Sequence, residues 1–161
     1  ANTILSSAKL EKIISPLTLA ELTSVISRLR KSNSLKLPDN IEDKLSKISF
    51  EKQVYSIALF IIRQANVSIE GLNLTLPINL NGMTFKAPTE FLEAYRIAPT
   101  TQLRSLDNLH IAVASMLLKR GTTLNHFTTC DEKMLNLRAM LVEMLGIPIT
   151  SPEELAKIEG L

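Results

Sequence analysis

Residues 100–131 read TTQLRSLDNLHIAVASMLLKRGTTLNHFTTCD. From Thr100 to Arg120, Leu103, Leu106, His110, Val113 and Leu117 recur every three or four residues, the period of one face of an α-helix. Gly121 follows directly, where a residue free to adopt positive φ closes a helix. Asn125 to Thr129 is short and carries Phe and Thr, which suits a strand. The stretch therefore predicts a helix, a connection and a strand that ends beside an acid, Asp131.

The same alternation continues on both sides. Asp131 to Leu145 reads as a helix closed by Gly146, then Ile147-Pro148-Ile149 as a strand. Ser151-Pro152-Glu153-Glu154 opens a last helix, because Ser caps a free N-terminus and Pro fits the first turn. Upstream, Pro88-Thr89-Glu90 starts a short helix to about Ile97. Leu72 to Ala87 alternates apolar and polar residues around Pro77 and Asn81-Gly82 and reads as an irregular or hairpin-like insertion. Val67-Ser68-Ile69 is a strand candidate. Ile41 to Gln64 is helical, with a break near Ser49, and Pro38-Asp39-Asn40 supplies turn chemistry before it. Lys12-Ile13-Ile14 is a strand, and Ser15-Pro16 starts a helix that ends near Arg30. Strands alternating with amphipathic helices predict an α/β fold. The expectation is one domain over residues 1–161, a three-layer α/β/α arrangement with a mostly parallel central sheet flanked by helices.

Composition bounds this further. With 161 residues and 45% hydrophobic side chains, one domain with a sizeable core is expected. No Trp and 4% aromatics mean a core of Leu, Ile, Val, Ala and Met, and Met134, Met140 and Met144 share one helix as filler. A formal charge of +2 is too small to argue for nucleic acid by itself. The lone Cys130 excludes an internal disulfide framework, suits a reducing cytoplasm and reads as a small buried hydrophobe. The longest apolar run, Val54 to Ile62, is far short of the roughly 20 residues of a membrane span.

In open parallel sheets, ligands bind beyond the carboxyl ends of the strands. Three acids fall in suitable places. Glu21 lies in the helix after the Lys12–Ile14 strand, Asp131 directly follows the Phe127–Thr129 strand, and Asp107 stands near the start of the Thr100–Arg120 helix between Leu106 and Leu109. Carboxylates gathered at one sheet edge repel one another, and a hard divalent cation such as Mg²⁺ relieves the repulsion. Such an ion also activates water and stabilises charge on a phosphodiester. Taken singly, Asp107 equally suits the positive end of its helix.

Ser15 to Leu22 (SPLTLAEL), Leu106 to Ala114 (LDNLHIAVA) and Phe127 to Asp131 (FTTCD) resemble, in order, three signatures of PIN domains, particularly archaeal and other prokaryotic members related to VapC toxins. The resemblance covers nearly the whole chain and fits Leu72 to Ala87 least. It implies a ribonuclease in which Glu21, Asp107 and Asp131 hold Mg²⁺ or Mn²⁺, with Thr129 supporting the last acid. It also implies an RNA substrate, an antitoxin partner and a homodimer. Members open with a strand ending in Asp, then a small residue and often Asn. Ala1 to Leu5 (ANTIL) resembles the continuation of that motif, so the Asp is expected immediately before Ala1, with Asn2 supporting the metal site. Ala1 is then expected beside Asp107. The alternative is a catalytically silent PIN-like module that binds RNA or protein.

Arg28, Arg30, Lys31 and Arg104 are the candidate contacts to RNA phosphates, although the first three equally suit a solvated helix C-terminus. His110 and His126 lack further His or Cys partners for a metal site of their own and read as a packed and a strand-edge residue.

Overall fold

In the computed structural model, which describes residues 2–80 and 82–161, β1 (Lys12–Ile14) pairs in parallel with β2 (Val67–Ile69). Parallel neighbours need a long crossover. Here it consists of α2 (Pro16–Lys31), α3 (Asp39–Leu45) and α4 (Phe50–Gln64). Ser15 starts α2: its backbone is extended, its hydroxyl accepts from Thr18 N at 3.2 Å, and Pro16 occupies the first turn. The expected break near Ser49 is present, with Ser49 as the extended residue before α4. Val54, Ile57, Ala58 and Ile61 form a stripe at positions i, i+3, i+4 and i+7 of α4 and pack with Ile26 and Leu22 of α2 and with Leu45 and Ile41 of α3. Each fully buried side chain of this size contributes about 1.5–3 kcal/mol, which outweighs the modest helix propensity of Ile and Val. Arg30 ties the three helices together. It donates to both carboxylate oxygens of Glu42 at 2.8 Å and to Gln53 Oε1 at 2.7 Å.

Residues 5–70 form one compact unit, and Gly71–Leu161, with the start of the chain through Ile4, form the other. A short helix, α1 (Asn2–Ser6), opens the chain.

The second unit also contains a parallel pair with a helical crossover. β5 (Phe127–Thr128) and β6 (Ile149–Thr150) are joined through α7 (Glu132–Asn136) and α8 (Arg138–Leu145). The single helix expected over Asp131 to Leu145 is thus divided at Leu137, whose φ of -93° and ψ of 11° leave the helical region. Gly146, at φ 72°, closes α8 as expected. The last helix, α9 (Pro152–Ile158), carries a reciprocal cap: Ser151 accepts from Glu154 N, and the Glu154 carboxylate accepts from Ser151 N.

The insertion is a hairpin of β3 (Thr75–Leu80) and β4 (Met83–Pro88), in register Ile78 with Phe85. Its turn carries Gly82 at φ 83°, which L side chains avoid. After it come α5 (Thr89–Thr101) and α6 (Ser105–Lys119), packed against each other. The expected boundaries are corrected here. α5 runs on past Ile97 through Pro99 to Thr101, and α6 starts at Ser105 instead of Thr100. Pro99 lies in the last turn, where it removes one backbone bond with only two helical residues beyond it, and Gln102 in the left-handed conformation ends the helix.

α6 supplies the core, with Ile111, Ala112 and Ala114 packed on Ala94 and Ile97 of α5, Leu141 and Leu145 of α8, Met134 and Ile149. Val113 and Leu117 are buried as their spacing suggests, but Leu106 is 48% exposed, because the buried side extends through Asn108, Ile111 and Ser115 instead. Among the described residues the strands pair two by two, β1 with β2, β3 with β4 and β5 with β6, and no larger sheet joins them. The chain is therefore α/β and rich in helix, and strands of two or three residues offer too few ladder bonds to extend a sheet unaided.

Candidate functional site

Asp131 stands just beyond the carboxyl end of β5. Its extended backbone precedes α7, and its Oδ1 accepts from Lys133 N at 2.8 Å and from Met134 N at 3.0 Å. The carboxylate thus satisfies two of the donors that every helix start leaves unpaired, and its charge faces the positive end of the helix. Thr129 supports it: the Thr129 hydroxyl accepts from Asp131 N at 3.0 Å, and Thr129 N donates to Thr150 O across the parallel pair. The small hydroxyl residue two positions before the acid therefore fixes the acid's backbone. Asp131 itself is exposed, and so is Cys130, which corrects the reading of Cys130 as a buried hydrophobe. The one side chain in 130–134 that faces inward is Met134.

Asp107 occupies the first turn of α6 and is half-buried. No side chain caps this helix start, because the extended residue before it is Arg104. No described residue forms an ion pair or a side-chain hydrogen bond with the Asp107 carboxylate. A half-buried carboxylate without a partner is costly unless the helix end or a cation compensates it. The next residue, Asn108, is buried and does have partners: Thr101 Oγ1 donates to its Oδ1 at 2.6 Å, and its Nδ2 donates to Leu103 O at 3.1 Å. Sequence reading missed this pair, although a polar residue on the apolar stripe of a helix is the usual sign of a buried hydrogen-bonded group.

Glu21 lies in the other unit, half-buried on α2. A cleft of about 250 Å³ opens beside it between α2 and α4, lined by Thr23, Ser24 and Ser27 on one helix and Phe50 and Tyr55 on the other, and Glu21 is not part of its lining. Within neither unit do three or more described His, Cys, Asp or Glu side chains gather where they could hold a metal ion. The donor chemistry of the two acids in the second unit is nonetheless that of a hard cation, carboxylate oxygens without thiolate or imidazole. Asn2 opens α1, and the placement expected for Ala1 lies outside the described residues.

Among the cationic candidates, the Arg30 guanidinium is held by Glu42 and Gln53, and the same contact keeps the Glu42 carboxyl below its ordinary range. Arg28, Lys31 and Arg104 are exposed, and Lys31 lies 5.7 Å from the centre of the Phe50 ring. His126 is 3.8 Å from Glu159.

An acid inside the core was not foreseen. Glu93 on α5 is 8% exposed and accepts from Ser115 at 3.0 Å and from Lys119, both on α6, with Arg96 at 3.9 Å. Burial by itself pushes this carboxyl up, but the bonds from Lys119 and Ser115 together hold it below its ordinary value. Its part is to lock α5 to α6. Compared with family models, curated proteins and solved structures, the chain matches none. No helix among the described residues is long and apolar enough to cross a membrane.

Proposed function

We propose that the chain is a metal-dependent endoribonuclease of PIN type, cleaving RNA phosphodiesters as the toxin of a toxin–antitoxin pair, with a three-layer PIN-like arrangement of its helices and sheet. The observation that carries this reading is Asp107: a half-buried carboxylate, without a partner among the described residues, in the first turn of the best-packed helix of its unit. Asp131, beyond the carboxyl end of a parallel strand, is the second acid, and Thr129 fixes its backbone. These two would hold Mg²⁺ or Mn²⁺ through their oxygens. The part of Glu21 rests on the resemblance to PIN domains alone, as do the antitoxin, the homodimer and a cytoplasmic location. When bound, such an ion supplies an activated water and charge stabilisation for an in-line displacement at phosphorus. The chain's own contribution is to hold the acids on their elements, and to bring RNA to them through exposed cations such as Arg104.

A second reading, a silent PIN-like module that binds RNA or protein, is favoured by one observation. The Asp131 carboxylate already serves as a helix cap. Cleavage of a mixed RNA pool by the wild-type chain and by Asp107→Asn, in Mn²⁺ and in chelator, decides between them. Metal-dependent cleavage lost in the variant supports the nuclease, and undiminished cleavage by a folded Asp107→Asn protein overturns it.

A further inference from the structure

The hairpin of β3 and β4 holds none of the acids of the nuclease reading, and it pairs with no other strand among the described residues. A two-stranded hairpin by itself is marginal in water, and a further strand beside an apolar face is what stabilises it. We propose that β4 is a docking edge for a second copy of this chain, pairing antiparallel with the same strand of that copy about a twofold axis at Phe85.

The register decides which backbone groups are open. Thr89 N donates to Leu74 O at 3.0 Å. By the alternation of an antiparallel ladder, the pairs Leu76–Ala87 and Ile78–Phe85 then exchange hydrogen bonds, while Pro77–Lys86 and Asn79–Thr84 turn their backbone groups outward. On β3 the middle of that outer row is Pro77, which has no N–H to offer. On β4 the row holds Thr84 and Lys86 before it ends at Pro88, and no described residue bonds to the outward groups of these two. β4 is thus the open edge and β3 the blocked one. The faces differ as well. Leu76, Ile78, Met83, Phe85 and Ala87 share one face, and Thr75, Pro77, Asn79, Thr84 and Lys86 the other. On the apolar face Met83 is 69% exposed and Phe85 46%.

Charge and closure name the occupant. Residues 72–88 carry a single charge, Lys86, so the hairpin offers a charged partner little to recognise. Pairing centred on Phe85 sets Lys86 opposite Thr84 of the second copy, so like charges do not meet. Thr84 and Lys86 become the hydrogen-bonded pairs that their outward groups require, and Phe85 meets Phe85 of the second copy at the closer spacing of a non-hydrogen-bonded pair. The two hairpins join into one sheet of four strands with a continuous apolar face. Both open edges are used, and the Pro77 edges that remain are poor templates, so the assembly stops at two copies.

The experiment is sedimentation of the full chain over a concentration series. Wild type should pass from monomer to dimer and no further. Lys86→Pro takes away an outward donor and leaves the inner ladder intact, and Thr84→Lys sets a lysine opposite Lys86 of the second copy. Each should weaken the dimer by roughly tenfold. Adding Lys86→Glu to Thr84→Lys should restore it, because opposite charges then meet across the axis. If Lys86→Pro unsettles the hairpin, the charge pair decides. A wild-type chain that stays monomeric, one that assembles beyond two copies, a dimer that Thr84→Lys leaves unchanged, or no recovery in the double variant overturns the proposal. None of these outcomes touches the nuclease reading.

Discussion

Asp131 caps α7 and, in the nuclease reading, also holds a metal ion, and one pair of substitutions separates these two roles. As a cap, its Oδ1 takes hydrogen bonds from Lys133 N and Met134 N, and Met134 beneath them is 3% exposed and part of the core. Asp131→Ala removes the acceptor, strands two donors and loosens the start of α7. Loss of such a cap costs about 1 kcal/mol, within a range of roughly 0.5–2. In a unit of this size that lowers the melting midpoint by about 4–8 °C. Asp131→Asn keeps an equivalent acceptor at the same position and gives up only the charge at the helix start, worth about 0.3–1 kcal/mol where exposed. Its midpoint without metal should therefore fall by clearly less than that of the Ala variant. The metal response should separate the other way. In the nuclease reading both variants lose a ligand charge, so both should lose most of the Mn²⁺-induced rise in midpoint. The assay is a thermal melt of the three proteins with Mn²⁺ and with chelator. A wild-type Mn²⁺ response in Asp131→Asn would show that the carboxylate is a cap and nothing more. Equal destabilisation by Asn and Ala would refute the capping argument.

Further expectations concern the scaffold and the surface. The Glu93 carboxyl is held below its ordinary value of 4.5 in the fold, so its contribution is fully present above that pH and is lost as pH falls through the lower folded value; the acid limb of a pH–stability curve should flatten in Glu93→Gln. Leu141 is fully buried, so Leu141→Ala should cost about 2–5 kcal/mol, and hydrogen exchange should quicken in residues 71–161 before residues 5–70. If Arg28 and Lys31 contact RNA, the double Ala variant should lower the slope of log affinity against log salt by about 1.4, at about 0.7 per single-strand phosphate contact. Arg30→Lys, whose parent is committed to Glu42 and Gln53, should leave that slope unchanged and destabilise residues 5–70.

Features with a local cause were legible in the sequence. Ser15-Pro16 and Ser151-Pro152 start helices where they stand, Gly146 ends one, and Gly82 sits in a turn, because each effect is settled within four residues. The start of α6 was misread for the opposite reason. Thr100 and Thr101 end α5 instead, Gln102 turns the chain in the left-handed conformation, and Asn108 of the next element bonds back to Thr101 and Leu103 across that corner. Cys130 was taken for a core residue on its type, but Met134, one turn on, fills that space. Sheet extent was not legible either, since runs such as Lys12–Ile14 and Phe127–Thr129 look the same whether they join one sheet or pair singly. Of the candidate site, the position of each acid along its element was readable: Asp131 after a strand, Asp107 in a first helical turn and Glu21 inside a helix. The capping bonds of Asp131 depend on backbone geometry and were not.

In the nuclease reading Asp107 binds a divalent cation, and equilibrium titration with Mn²⁺ measures this without any assumption about the RNA. Calorimetry on the wild-type chain should give saturable binding, and Asp107→Asn, with its fold confirmed by circular dichroism, should bind at least about tenfold more weakly, on the order of 1.4 kcal/mol. With one charge removed from the site, its midpoint without metal should stay level or rise. Absence of saturable Mn²⁺ binding to the wild-type chain, or equal binding by the two proteins, would contradict the claim and leave Asp107 as a charge that serves only its helix.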